Sequence, residues 1–534
     1  MRNPPDRRAF LRTGGLAALA FGTALGAPGT PALGAAGASG RDAAGAGGGA
    51  GTAGRDTAGA SGRGAAAGAT GRAAAGAPRP ADWRALAEGL EGSLVRPGDA
   101  AYDGARRLFN PAFDAVRPAG VAYCADPSDV AECVGFARRL GVPLAVRSGG
   151  HSYAGWSTGT GLVLDVSRMS TVRHASGRAT VGAGARLVDV YDRLAAGGVS
   201  IPAGTCATVG VSGLALGGGI GVVSRRYGLT CDVMESVRVV TADGRLLTCD
   251  ADRHPDLYWA SRGGGGGNLG VAVSFEFRTH PAREVTVFFL HWPWSRAVRT
   301  LRAWQAWAPS APDAMWSGMH LSRDGGTDVQ VVGLYLGGRA GCERLLDRLA
   351  DAAGPPSSSH VRRTSYRQAM LTMAGCGSLS VGQCHLGGSL PGQTRGGRLS
   401  RDRFSATSHM AYRPLSEAGA RTLVAQVARA GEHTVLLDAL GGAVARVRPD
   451  ATAFPHRAAL YSVQYYAHRA GAATWTRTAR AAMRPHFGDH AYVNYVDAGL
   501  AGWRSAYYGP NAARLARVKA AYDPGRLFRL PQGI

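Results

Sequence analysis

One lysine, Lys519, stands among the 60 basic residues of this 534-residue chain; arginine supplies the rest. The formal net charge is +23. Yet no block of basic residues interleaved with aromatics is present, which argues against a nucleic-acid surface. The charge reads as a compositional bias towards arginine, alanine and glycine. No CxxC occurs, and no histidine stands at ligand spacing from a cysteine pair, so a zinc site is not expected. No internal repeat is visible. No apolar run is long enough, and poor enough in Gly and Ala, to make a convincing transmembrane helix.

What is present begins with an amino-terminal segment that carries no fold. "RRAFLRTGGLAALAFGTALGA" opens on Arg7 and Arg8, continues into a modest apolar stretch and ends in small residues. That pattern predicts a twin-arginine export signal over 1–34, hence partnership with that export machinery and a secreted product. Residues 35–80 are Ala, Gly, Ser, Thr and Arg, with almost nothing to bury; they predict a disordered linker. Twin-arginine export carries folded proteins, often around a cofactor.

Beyond the linker, helical and strand patterns alternate. "PSDVAECVGFARRLG" reads as a helix capped by Ser128 or Asp129 and ended by Gly141. "VPLAVRSGG", "GLVLDVS", "ATVGAGA", "VRVVTADGRLLTC" and "GVAVSFEFRT" read as strands, with "TADG" as a hairpin turn. A second block, from about residue 280 to 485, mixes strands such as "VTVFFLHW" with helices such as "SEAGARTLVAQVARAGE". The fold class is α+β. Eight cysteines are present. Cys376 and Cys384 bracket a short polar loop and are the most plausible disulfide pair outside the cytoplasm.

Three glycine-rich turns lie within the first block: "RSGGHSYAG" after a strand, "GTCATVGVSGLALGGGIG" leading into a short helical stretch, and "RGGGGGNLG" feeding a strand. Glycine lets backbone N–H groups converge on a phosphate or a ring edge. "GGGIG" is a poor Rossmann fingerprint, because no acidic residue ends a second strand at the proper interval. Several such turns in one region point to a long, flat, phosphate-bearing ligand. His151 and Cys206 lie on two of them, 55 residues apart.

These motifs, with "ADGRLL", "DLYWASRGGGGGNLGV", "GGAVARVRPDATAFPHRAALYSVQYY" and the terminal "YVNYVD…YYGPNAARLARVKAAYDPGRLF", resemble the berberine bridge enzyme-like FAD-linked oxidases of the vanillyl-alcohol oxidase group, from about Val116 to Ile534. The resemblance implies a two-part FAD-binding domain, over 81–282 and 485–534. A substrate-binding domain over 283–484, with an antiparallel sheet flanked by helices, is inserted between them.

By the same resemblance FAD is held bicovalently, through His151 to the 8α-methyl group and through Cys206 to C6. Leu214 stands where many relatives carry histidine, which bears on the Cys206 bond. Arg147, Ser148, Gly149, Gly150, Ser152, Gly210, Gly217, Gly218, Gly219, Gly221, Gly270, Val271, Asn494 and Asn511 are implied cofactor contacts. Tyr495 matches the tyrosine that faces the flavin in alcohol-oxidising relatives. As an unperturbed phenol it is a poor base at neutral pH, so positive or hydrogen-bonding neighbours are expected to acidify it; Arg446 and Arg457 are candidates. Gln464 replaces the glutamate of alkaloid-cyclising relatives, and Tyr153 matches a tyrosine lining the substrate site. Val209, three residues after the cysteine, is the implied oxygen gate.

The expected activity is an oxidase, with molecular oxygen as acceptor and H2O2 as product. Its substrate would be a small molecule or oligosaccharide, with a hydroxyl or hemiacetal carbon in a saccharide or glycosylated secondary metabolite. Two alternatives remain: oxidative cyclisation or desaturation of an aromatic natural product in the same fold, and a basic extracellular polyanion-binding protein with a vestigial FAD site.

Overall fold

The computed structural model describes residues 78–534. The expected export signal and all but the last residues of the expected linker lie outside them. At the linker's end the chain is already ordered, because a helix starts at Pro80 and runs to Glu88. Among the described residues no helix is long and apolar enough to cross a membrane, and no cluster of three or more His, Cys, Asp or Glu could hold a metal ion.

Local chemistry sets the elements. The helix Pro127–Leu140 begins on Asp126, whose carboxylate accepts from the Ser128 and Asp129 N–H groups, and ends on Gly141 at φ 66°. The cap is therefore earlier than either residue the sequence suggested. Pro127 explains this, since it occupies the first helical position, where its missing N–H costs nothing. Asp129 turns inward instead and accepts from the Glu91, Gly92 and Ala125 N–H groups.

The first block holds two larger sheets and a two-stranded ribbon of Val199–Ser200 and His280–Pro281. Ser93–Val95, Gly120–Tyr123, Leu162–Asp165 and Leu144–Arg147 form a four-stranded sheet, its last three strands parallel. Val172–Ala175, Arg178–Gly182, Val271–Arg278, Met234–Val240 and Leu246–Cys249 form a five-stranded antiparallel sheet in that order. The segment Thr241–Gly244 turns between its last two members, as its sequence suggested.

The second block is one seven-stranded antiparallel sheet. Its order is Ser358–Thr364, Val285–Trp292, Thr327–Tyr335, Met315–Arg323, Glu432–Ala439, Tyr461–His468 and Phe404–Ala411. Alternation splits its residues cleanly. Met315, Met319, Leu321, Val435, Leu437, Tyr461, Val463 and Tyr465 pack in one cluster with residues of the helices Ala297–Ser310, Arg339–Ala353, Glu417–Ala428 and Ala472–Phe487. The intervening Trp316, His320, Leu436, Asp438 and Gln464 line a cavity on the other face.

After this sheet the chain returns to the first block. Ala491, Val496, Tyr508, Leu515 and Phe528 share a core with Val271, Leu257 and Ala215. Cys376 and Cys384 are joined by a disulfide with Cα atoms 5.9 Å apart.

Three buried histidines make the fold acid-sensitive. Burial pushes His280 down to about 4 and His456 down to about 3, and holds His409 well below the usual 6.5. Above pH 6.5 these rings are neutral in both states. Below it the unfolded chain binds protons that the folded chain refuses. Stability should therefore fall as pH drops from 6.5 towards 4, by about 1.4 kcal/mol per pH unit for each histidine at the limit. Thermal melts across that range check this. His456→Gln should give a shallower slope, and an unchanged slope would count against it.

Candidate functional site

A cavity of about 350 Å³ lies between the seven-stranded sheet and the glycine-rich loops. Loop 148–153 follows the strand Leu144–Arg147, and loop 204–210 leads into the short helix Val211–Leu216. They touch backbone to backbone. A Cβ on Gly149 would sit 2.2 Å from the Gly210 nitrogen, and one on Gly210 would sit 2.1 Å from Ser148 Oγ. The Ser148 and Ser212 hydroxyls both donate to the Ala183 carbonyl, at 2.7 and 2.6 Å. Glycine is required here for the close approach of two loops.

His151 stands where those loops meet. Its ring stacks on Phe109 with centroids 4.0 Å apart, and Nε2 lies 2.9 Å from Thr208 Oγ1. Thr208 is two residues beyond Cys206, which is half-buried, not disulfide-bonded, and also lines the cavity. Ser148, Gly149, Gly150, Ser152, Val209, Gly210, Leu214, Gly221, Gly270 and Asn494 line it as well.

Several expected contacts lie elsewhere, each for a visible reason. Arg147 is buried and spent on Asp165 and Tyr123, away from the cavity lining. Asn511 donates to the carbonyls of Pro449 and Thr452 and closes that loop. Val271 is a core residue at the start of a strand. Gly217, Gly218 and Gly219 lie behind the lining. A Cβ on Gly217 would meet Asn494 Oδ1 at 1.9 Å, one on Gly218 would meet Phe454 and Tyr492, and one on Gly219 would meet Thr230. Arg446 pairs with Asp313 at the surface, and Arg457 pairs bidentately with Asp232 at 2.7 Å. Neither arginine lines the cavity.

The expected catalytic residues converge under the sheet. Tyr495 lies in the 3-10 turn Val493–Tyr495, stacked parallel to Tyr153 with centroids 5.6 Å apart. Gln464 Nε2 donates to the Tyr153 hydroxyl and, at 3.0 Å, to the Tyr466 hydroxyl; the two tyrosine hydroxyls are themselves hydrogen-bonded.

Tyr466 and Asp438 belong to this group but escaped the sequence reading. Asp438 pairs across the sheet with Gly318 and Ser462, and the Ser462 hydroxyl donates to its carboxylate at 3.3 Å. Glycine opposite leaves the carboxylate room. The available signal was a single acidic residue in the apolar run "TVLLDALGG".

The electrostatics reverse one expectation. Burial first, then the Asp438 carboxylate and the phenols of Tyr153, Tyr492 and Tyr466, hold Tyr495 well above the usual phenol value of 10. No cation is among these causes, so here Tyr495 is a neutral phenol poised beside a carboxylate rather than an acidified one.

The donor set suits a flavin dinucleotide. The cavity is lined by Gly149, Gly150, Gly210 and Gly265–Gly267, which bring backbone to its wall, and by the imidazole of His151 and the thiol of Cys206. It also contains two buried carbonyl oxygens, Asn268 Oδ1 and Gln532 Oε1, that have no protein partner.

Comparison with known proteins agrees. The family described as FAD binding domain matches residues 118–250, and the family described as Berberine and berberine like matches residues 491–534. An uncharacterized FAD-linked oxidoreductase of Bacillus subtilis, YgaK, is 33% identical over 461 residues, covering 83% of this chain and 97% of that protein. The chitooligosaccharide oxidase of Gibberella zeae is 31% identical over 447 residues, covering 78% and 87%. The solved structure of Physcomitrella patens BBE-like 1 superposes with a TM-score of 0.78 at 29% identity, covering 85% of this chain and 98% of that one.

The Gly149–Gly210 contact can be broken by one methyl group. Gly210→Ala should push the His151 loop off the Cys206 loop and sharply lower the flavin-to-protein ratio of the purified protein, read from visible absorbance. Full flavin content in that variant would show that the contact is dispensable.

Proposed function

The chain belongs to the berberine bridge enzyme-like family of FAD-linked oxidases, and from that premise we propose that it oxidises a hydroxyl or hemiacetal carbon of a saccharide or of a glycosylated secondary-metabolite alcohol. The observation that carries this reading is that Tyr495, Tyr153, Gln464 and Asp438 line one glycine-walled cavity together with His151 and Cys206. An amide, Gln464, occupies the neighbouring position under the sheet and cannot take up a proton, which weighs against alkaloid ring closure. The 31% identity to a chitooligosaccharide oxidase supports a carbohydrate substrate.

FAD, when bound, supplies the hydride acceptor, and molecular oxygen takes the electrons on to H2O2. The protein's part is to hold the substrate and move the proton. The carbon gives up a hydride while its hydroxyl proton leaves, so an alcohol becomes a carbonyl and a cyclic hemiacetal becomes a lactone. Tyr495 stays protonated through neutral pH. It therefore takes the substrate proton on its oxygen as its own proton passes to Asp438, and no free phenolate has to form. The apolar side chains around it, Trp316, Val332 and Leu436, lower the local dielectric and strengthen the Asp438 field on the phenol. Tyr153, Gln464 and Tyr466 form a hydrogen-bonded set that fixes the ring stacked on Tyr495.

His151 and Cys206 are proposed as the two covalent anchors, at 8α and C6 of the flavin. Double anchorage would hold the ring without a closed pocket and leave the cavity open to a bulky sugar. Val209 is proposed as the oxygen gate, its small side chain lying on the cavity wall. The Arg7–Arg8 segment supports export by the twin-arginine route and an extracellular site of action.

The test begins with the pure protein. Yellow colour should stay with the acid-precipitated chain, and oligosaccharides should yield peroxide in a sugar and alcohol screen. Complete release of flavin by acid would rule out both linkages. His151→Ala should leave the flavin attached through Cys206 alone and lower the activity.

Tyr495→Phe keeps the ring and removes the oxygen. Anaerobic flavin reduction should slow by about 10²–10⁴-fold, while reoxidation by oxygen is unchanged. Asp438→Asn should slow the same step. Wild-type reduction rates in both variants would send the proton elsewhere.

A further inference from the structure

The only lysine of the chain is buried. Lys519 lies on the helix Ala512–Tyr522 and is 2% exposed. Its ammonium donates to the Asn268 carbonyl at 2.5 Å, the Asp523 carboxylate at 2.6 Å and the Phe528 carbonyl at 2.7 Å. These acceptors come from separate stretches of chain. Asn268 follows Gly265, Gly266 and Gly267, and all four line the cavity. Phe528 precedes Leu530 and Gln532, which line it too. Asp523 also accepts from the Leu527 and Phe528 N–H groups, at 2.7 and 2.9 Å, and so turns the tail back on itself.

Three oxygens converging on one nitrogen suit an ammonium with three donors. They do not suit a planar guanidinium, whose donors point outward in a fixed fork. Arginine fills every other basic position in the sequence, and this is the position whose geometry refuses it.

The wall so assembled carries two unused acceptors. Asn268 Nδ2 donates to the Gly264 carbonyl at 3.1 Å, and Gln532 Nε2 donates to the Asp497 carbonyl at 2.7 Å. Their side-chain oxygens are buried and have no protein partner. Asn268 is 3% and Gln532 6% exposed. A buried acceptor left unmet is costly, so it marks where a ligand donor belongs.

We propose that Lys519 is a positioning residue for the cofactor: it clamps the 263–270 loop to the C-terminal tail so that Asn268 Oδ1 and Gln532 Oε1 accept hydrogen bonds from N–H or O–H groups of bound FAD. This rests on the FAD reading above. FAD carries both kinds of donor, in its imide and amino groups and in its sugar hydroxyls.

The test uses the holoenzyme with Lys519→Met, Lys519→Arg, Asn268→Ala and Gln532→Met. The readouts are the visible flavin spectrum and the melting temperature. A third is the FAD dissociation constant, measured in a His151→Ala Cys206→Ser background. Lys519→Met and Lys519→Arg should both shift the flavin bands and weaken FAD binding by about tenfold or more, with no rescue by the retained charge. Asn268→Ala and Gln532→Met should reproduce the spectral shift and the weakening. If Lys519 serves only to stiffen the tail, its variants melt lower with an unchanged flavin spectrum and affinity, and the proposal falls. Should neither Lys519 variant fold, wild-type spectra and affinities in both Asn268→Ala and Gln532→Met overturn it. A wild-type protein that contains no flavin overturns the FAD reading and this proposal together.

Discussion

The close approach of the turn Tyr492–Tyr495 to the backbone at Gly217–Gly219 is the constraint on which the site depends. The Gly219 N–H donates to the Tyr492 hydroxyl at 2.8 Å. Asn494 Nδ2 donates to that same hydroxyl and to the Leu214 carbonyl, both at 2.9 Å. No side chain fits at Gly217, because Asn494 Oδ1 fills the place of its Cβ. This knot lies between chain segments more than two hundred residues apart and brings Tyr495 under the seven-stranded sheet. The loop carrying Cys206 leads into the same helix, so the proposed anchor and the proposed proton relay are referenced to one backbone contact. A change in this knot therefore displaces the chemistry and the cofactor wall together.

The roof complements that floor by placing one charge where little else is charged. Trp316, Leu436 and Val332 make the cavity face largely apolar around Asp438. A carboxylate there keeps much of its field, because few water dipoles oppose it. Burial first, and the Asp438 carboxylate after it, push the Tyr495 phenol up and not down. A lone buried phenolate would be an expensive base. A phenol that hands its proton to a carboxylate shares the proton transfer between two groups. In the proposed relay the tyrosine would supply reach and orientation, and the aspartate basicity.

Element types and the broad architecture were legible in the sequence, because strand alternation and helix caps are local signals. The Gly141 stop, the Thr241–Gly244 turn and the strand Val271–Arg278 fall where their residues suggested. His151, Cys206, Tyr153, Gln464 and Tyr495 are gathered in one cavity, but it was the family resemblance, not spacing, that grouped them. Asp438 was not legible. Its exposure to the cavity depends on the register of Glu432–Ala439 against Met315–Arg323, which sets it opposite Gly318; a slip of one residue would bury it against the helices. Arg147 and Asn511 each sit in a motif, and each side chain is engaged by the scaffold. The glycines divide similarly. Gly149 and Gly210 are required by each other and Gly217 by Asn494, which a reading of glycine as a phosphate cradle could not separate.

Arginine's abundance has a structural use that its net charge conceals. Arg225 is 1% exposed and donates to the carbonyls of Met315, Leu440, Pro309 and Ala311. It thereby ties the segment after Gly221 to the end of the helix Ala297–Ser310 and to the ends of the strands Met315–Arg323 and Glu432–Ala439. Arg457 does comparable work from the other side, locking the 452–457 loop to Asp232. Arg401 joins Asp114 and the Leu108 carbonyl to the loop that precedes the strand Phe404–Ala411. Each junction presents several acceptors, which a guanidinium meets with several donors at once. At the cofactor wall the acceptors converge on a point, and the chain uses its one ammonium. The choice between the two cations thus follows the shape of the acceptor set, and the same logic that makes arginine the mortar between floor and roof makes it unsuitable beside Asn268 and Phe528.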